Sequence, residues 1–183
     1  MTRRHRSGAS GVGPTAALRR ARRDGSAAVE FGIIAIPFLM MLFAILEIAV
    51  IFLTDTVLEN AVIDAGRQVR TGEADRSGMN TEKFKTKICA NMSAFANNCT
   101  SRLTVDVRVL TSFRNPPTDP LSTGTFNPSG LEYLPSQPGN IVIVRAWYKQ
   151  PIFTPFMNQG APRAGGNGIL TATMAFRNEP YNQ

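Results

Sequence analysis

Gly25-Ser26-Ala27-Ala28-Val29-Glu30-Phe31 stands between an arginine-rich stretch and a long apolar run, and its reading decides the architecture. The run from Phe31 to Leu53 has 23 residues, with Glu47 as its only charge. At about 1.5 Å per residue a helix of that length extends roughly 34 Å, enough for a hydrocarbon core of about 30 Å with some tilt. A buried helix of a soluble domain is the alternative, but such helices are usually shorter and rarely apolar all round. The expectation is one membrane-spanning helix over residues 26–53. Glu30 is then a carboxylate at the threshold of the span, where an ionised side chain costs up to roughly 2.5–3.5 kcal/mol on insertion scales, less near the helix end.

Charge sets the expected orientation. Ahead of Gly25 lie Arg3, Arg4, Arg6, Arg19, Arg20, Arg22 and Arg23 against a single acid, Asp24. The positive-inside rule keeps residues 1–25 in the cytoplasm as a basic leader and sends the C-terminal portion across the membrane. The remaining thirteen basic and twelve acidic residues nearly cancel, so the exported part has no basic surface of the kind that nucleic-acid binders show. A secretory signal peptide fits poorly. Its apolar region would be only about 7–15 residues and would end in a small-residue cleavage site, whereas this run continues into Thr54-Asp55-Thr56-Val57-Leu58-Glu59.

A glycine, then a glutamate five residues on, then a spanning helix resembles the type IV prepilin cleavage motif. That resemblance implies that a membrane aspartyl peptidase cuts after Gly25, leaving Ser26 as the new N-terminus with the helix still attached. Ala27-Ala28-Val29-Glu30-Phe31, Ile36-Pro37-Phe38 and Leu46-Glu47 together resemble the N-terminal signature of TadE-like proteins, the pseudopilins of the tight-adherence (Flp, type IVc) pilus apparatus. The resemblance covers residues 25 to about 70 and implies partners: the membrane, a prepilin peptidase, and other pilins or pseudopilins with their assembly machinery. It also implies a bacterial inner-membrane location with the C-terminal domain in the periplasm; whether the subunit enters the extracellular pilus is left open.

In pilin-like assemblies the fifth-residue glutamate is thought to pair with the free amine of a neighbouring subunit. By resemblance that role falls to Glu30, next to Phe31, with the amine supplied at Ser26; an adjacent ammonium offsets the cost of a carboxylate in lipid. The alternative is a glutamate resting at the cytoplasmic interface. Glu47 lies near the outer end of the span, where its side chain is expected to reach the headgroups without a partner, the other reading being a helix-pairing role. Pro37 removes one helical hydrogen bond and predicts a bend.

Beyond the span, Val57, Leu58, Ala61, Val62, Ala65 and Val69 recur every three or four residues, extending the helix as an amphipathic, pilin-like stalk over 54–70. Gly72 and the polar residues 73–78 end it. A second helix is expected from Thr81 to Ala96, with Phe84, Ile88, Met92 and Phe95 on one face. Cys89 and Cys99 flank its end and the Asn97-Asn98 turn. In an oxidising periplasm they read as a structural disulfide, closing a loop of about ten residues for roughly 3 kcal/mol. Two thiols alone make a poor metal site.

The period then changes to two. Leu103, Val105, Val107 and Val109 alternate with Thr104, Asp106 and Arg108, which predicts a strand with one buried face. Ile141–Tyr148 suits a central strand and Ile169–Phe176 a third. Between the first two strands, Asn115–Asn140 is rich in Pro, Gly, Ser and Thr and reads as an exposed loop, ordered by Phe126, Leu131 and Tyr133 packing back. Gly165-Gly166-Asn167-Gly168 reads as a turn, since no helix follows it. The expected fold is α+β: a transmembrane helix extended into a stalk, a second helix, then a small, mainly antiparallel sheet within a domain spanning 54–183.

Catalysis finds little to work with. The single histidine, His5, falls in the leader, so the exported domain has no Ser-His or Cys-His pair. Asp106, Asp119, Glu132 and Glu179 show no spacing that marks a paired-carboxylate site. The sequence therefore implies no enzyme, cofactor, metal or small-molecule substrate. Two functions remain: a processed pseudopilin acting in pilus assembly for adhesion and biofilm formation, or an unprocessed single-span anchor whose exposed domain binds a partner.

Overall fold

The computed structural model describes residues 14–92, 98–114, 116–154, 163–164 and 166–181, with side chains from Gly25 onward except those of Arg163 and Ala164. The leader's side chains, His5 included, lie outside the described residues, as do Phe95, Ala96, Asn97, Asn115 and Gly165. The elements are α1 (Pro14–Arg70), α2 (Glu73–Arg76), α3 (Thr81–Asn91), α4 (Cys99–Arg102), β1 (Leu103–Leu110), β2 (Ile141–Gln150), β3 (Arg163–Ala164) and β4 (Asn167–Arg177). The chain divides into two compact units, 1–43 and 44–183.

In the first unit the side chains of Val29, Phe31, Ile33, Ile34, Ile36, Phe38 and Phe43 are all exposed, as expected of a helix whose solvent is lipid rather than a protein core. From Gly25 onward α1 is long and apolar enough to cross a membrane. Pro37 lies inside the helix, which continues through it without interruption.

The second unit is an α+β domain built on the stalk part of α1. Leu58, Ala61, Val62, Ala65 and Val69 are buried, so the stripe read from the sequence is the face that packs. They meet Phe84, Ile88 and Met92 of the α3 region, each at most 1 % exposed. Full burial of a side chain of this size contributes roughly 1.5–3 kcal/mol. Asn80 starts α3 by accepting the Lys83 backbone N–H at 2.9 Å, a cap that satisfies one otherwise orphaned donor. The helix ends at Asn91, with Met92 as its C-terminal cap, short of the Ala96 boundary expected from periodicity.

The sheet has the order β1-β2-β4-β3, all antiparallel, with β3 a two-residue edge. Register puts Val105 opposite Ala146, Val107 opposite Val144, and Val144 opposite Met174. Because alternate residues share a face, these form the side that packs on α1 and α3, together with Val142, Tyr148 and Ala172. Cys89 and Cys99 form the disulfide, their Cα atoms 5.7 Å apart, within the usual range; it ties α3 to α4 just ahead of β1.

Two sequence expectations fail on β1. Val109 is 38 % exposed although it has the inward parity, and Asp106, with the outward parity, is 0 % exposed. Asp106 is buried because residues 116–140 do not form a free loop; nothing in the structure explains the exposure of Val109. Val107 donates to Glu132 O at 2.8 Å and Leu134 donates to Val107 O at 2.9 Å, so the segment pairs in parallel with the outer edge of β1 through a bridge at Tyr133. Phe126 packs on Trp147 and Tyr133 on Phe84, with ring centroids 5.9 and 5.5 Å apart. The segment thus covers the outer face of the sheet over β1 and β2, while Thr171, Thr173, Ala175 and Arg177 of β4 stay exposed on that face.

Candidate functional site

Gly25 to Phe31 is helical and exposed. A Cβ built on Gly25 would meet nothing within 4 Å. Glycine inside a helix costs about 1 kcal/mol relative to alanine, and no close approach among the described residues calls for it. Gly32 is equally unobstructed; in lipid a small residue there lets a neighbouring backbone come near. One helical turn past Ser26, Glu30 accepts a hydrogen bond from the Ser26 hydroxyl at 3.0 Å. The residue expected to supply an amine and the residue expected to need one therefore share a helix face. Phe31 is 73 % exposed beside them.

Glu47 does not stand without a partner. Its carboxylate accepts the backbone N–H groups of Phe153 and Thr154, the latter at 2.8 Å. These residues follow β2, 106 and 107 positions along the chain. No periodicity could have joined them.

A buried charge cluster also escaped the sequence reading. The carboxylate of Asp106 accepts from Arg145 Nη2 at 2.7 Å and Nε at 3.2 Å, from Arg108 Nε at 2.7 Å, and from the Glu132 backbone N–H at 3.2 Å. Arg145 Nη1 donates to Pro117 O and Thr118 O, both at 3.1 Å, and Arg108 Nη2 donates to Gly130 O. The cluster thus fastens the proline-rich segment to the sheet at several points. Its one available signal was Arg145, an arginine inside the apolar run Ile141–Tyr148. A cavity of ≈ 580 Å³ lies alongside, and the arginines that face it are committed to Asp106 and to loop carbonyls.

Residues 178–181 clasp the end of α1. Glu179 N donates to Arg70 O at 3.0 Å, and Arg70 pairs with the Glu179 carboxylate at 3.2 Å. The Tyr181 hydroxyl donates to Asp75 at 2.9 Å. Burial, with the hydrogen bond to Asp75 and its charge, pushes the Tyr181 phenol up. Tyr133 is raised more strongly, first by burial and then by the nearby charges of Asp75 and Tyr181.

These features define, among the described residues, one apolar helix fit to cross a membrane and an α+β domain built on the continuation of that helix. Residues 25–67 match the family model described as TadE-like protein. The chain thus carries a TadE-like segment, beginning at Gly25 and ending within α1, as its threshold motif implied. No curated protein and no solved structure matches the chain.

Proposed function

We propose that the protein is a processed pseudopilin that acts, without catalysis of its own, in assembly of a tight-adherence pilus serving adhesion and biofilm formation. The observation that carries this reading is the family match over residues 25–67, which starts on the glycine after which cleavage is expected. The open space around Gly25 supports it, since a glycine with no packing reason among the described residues suits recognition by a peptidase. In this reading a prepilin peptidase removes residues 1–25 on the cytoplasmic side of the inner membrane. Ser26 then offers its ammonium to Glu30 of a neighbouring subunit, fixing axial register between helices, while the domain built on the stalk makes periplasmic contacts with other pilus components.

Intact mass and N-terminal sequencing of the membrane form test the proposal. Ser26 as the first residue in cells with the peptidase, and a longer chain in cells without it, is the expected result. Uncut chain in peptidase-positive cells overturns it and leaves a plain membrane-tethered binding domain. Glu30→Ala is expected to insert normally and to abolish or sharply reduce assembled pili; normal piliation refutes the role given to Glu30.

A further inference from the structure

The loop that follows β2 carries the most exposed large apolar side chain among the described residues, Phe153, at 84 %. Its neighbour Ile152 is anchored, for a Cβ on Gly168 of β4 would come within 2.9 Å of Ile152 Cδ1. The backbone N–H groups of Phe153 and Thr154 point at the Glu47 carboxylate. Glu47 lies six residues before Leu53, so the loop meets α1 about 9 Å inside the end of the apolar run.

The helix around that contact is covered on one face only. Ala44 and Thr54, on the same face as Glu47, are buried, whereas Ile45, Leu46, Ile48, Val50, Phe52 and Leu53 remain 40–69 % exposed. An apolar band exposed on its other faces is solvated by lipid if the helix spans a membrane, and the loop then shares that environment. The hydrogen bonding suits the same solvent. A carboxylate in lipid is costly, and so are two backbone N–H groups without acceptors. Here each satisfies the other.

We infer that Pro151–Thr154 is a second membrane contact, with Phe153 inserted among the lipids of the leaflet on the C-terminal side of the span and Glu47 holding the loop at that depth. The inference rests on the membrane-spanning reading of α1. It makes the domain's position on the bilayer a matter of two attachments, the helix and the loop, rather than a free tether.

The test uses the full chain in phospholipid nanodiscs containing brominated lipids, with tryptophan introduced singly by Phe153→Trp, Phe38→Trp in the span, or Phe113→Trp at the opposite end of the sheet. Emission is read as the difference from the wild-type chain, whose Trp147 is buried. The variants at 153 and 38 are expected to be quenched by bromolipid, with 153 responding more to bromines near the headgroups, and the variant at 113 by acrylamide alone. Adding Glu47→Ala to Phe153→Trp is expected to lower its bromolipid quenching severalfold. Quenching at 38 but only acrylamide quenching at 153 overturns the loop contact and leaves the span standing. An absence of bromolipid quenching at 38 overturns the membrane reading itself. A tryptophan at 153 shielded from both quenchers means that protein covers the loop, and overturns the lipid assignment; unchanged quenching on Glu47→Ala overturns the clamp.

Discussion

Asp106→Asn removes one negative charge from a site with no solvent exposure and keeps the side-chain shape. The carboxylate accepts four donors, two on each oxygen. An asparagine oxygen retains two of them, and its amide group confronts the other two donor against donor. The change leaves Arg145, whose side chain is 7 % exposed, without its counter-charge. Removing one partner of a buried ion pair typically costs about 3–5 kcal/mol, and the expected loss falls in that range because both arginines lose their counter-charge and either Arg145, or Arg108 with the Glu132 N–H, loses its acceptor. Urea unfolding of the full chain in detergent micelles is the assay. Trp147, 5.1 Å from the guanidinium carbon of Arg145, reports the transition by its emission. The double variant Asp106→Leu with Arg145→Met is expected to recover part of the loss, since replacing both partners by apolar groups is often close to neutral; the Pro117 and Thr118 carbonyls, which lose their donor, keep the recovery incomplete. A loss under about 1 kcal/mol for Asp106→Asn, or a double variant as unstable as the two single changes summed, refutes the argument that the cluster holds the proline-rich segment.

Reducing the Cys89–Cys99 bond is expected to lower stability by roughly 3 kcal/mol, as closure of a loop of about ten residues predicts; two alkylatable thiols in natively purified protein would refute the bond. Alkaline pH should destabilise the domain. The phenols of Tyr133 and Tyr181 are raised in the folded state, so above the ordinary tyrosine value of about 10 the unfolded chain loses protons first; the stability they contribute is fully present below that value and is lost as pH rises toward the folded values. Tyr133→Phe should flatten the fall, and an unchanged pH profile of unfolding would refute the assignment. Gly72→Ala is expected to cost at least about 1–2 kcal/mol, because Gly72 has φ +73° and an added Cβ would overlap the Tyr181 ring; a melting temperature equal to that of the wild type would refute it.

The elements legible in the sequence are those whose signal is local. Apolar spacing identified the α1 stripe from Leu58 to Val69, the α3 face of Phe84, Ile88 and Met92, and the strands near 103, 141 and 169, because burial of one face imposes a period within the element itself. The threshold residues 25–31 were equally legible, and the family match begins there. The two cysteines were close enough in sequence, and flanked a turn, for their pairing to be expected.

Chain order alone could not supply the pairings between distant segments. Asp106 looked like the polar half of an alternating strand; it is buried because Arg145 stands opposite it and the proline-rich segment closes over both. Glu47 looked partnerless until the turn after β2 brought two backbone N–H groups to it. The sequence by itself determined the apolar span, the stalk, the α3 face and the three long strands, but not the short α2, α4 and β3, since hydrophobic period and charge act over a few residues and need several turns or pleats to show. Only the tertiary structure decided which charges are buried and what satisfies them, because a buried ion or amide is tolerable only where distant parts of the chain deliver its partners.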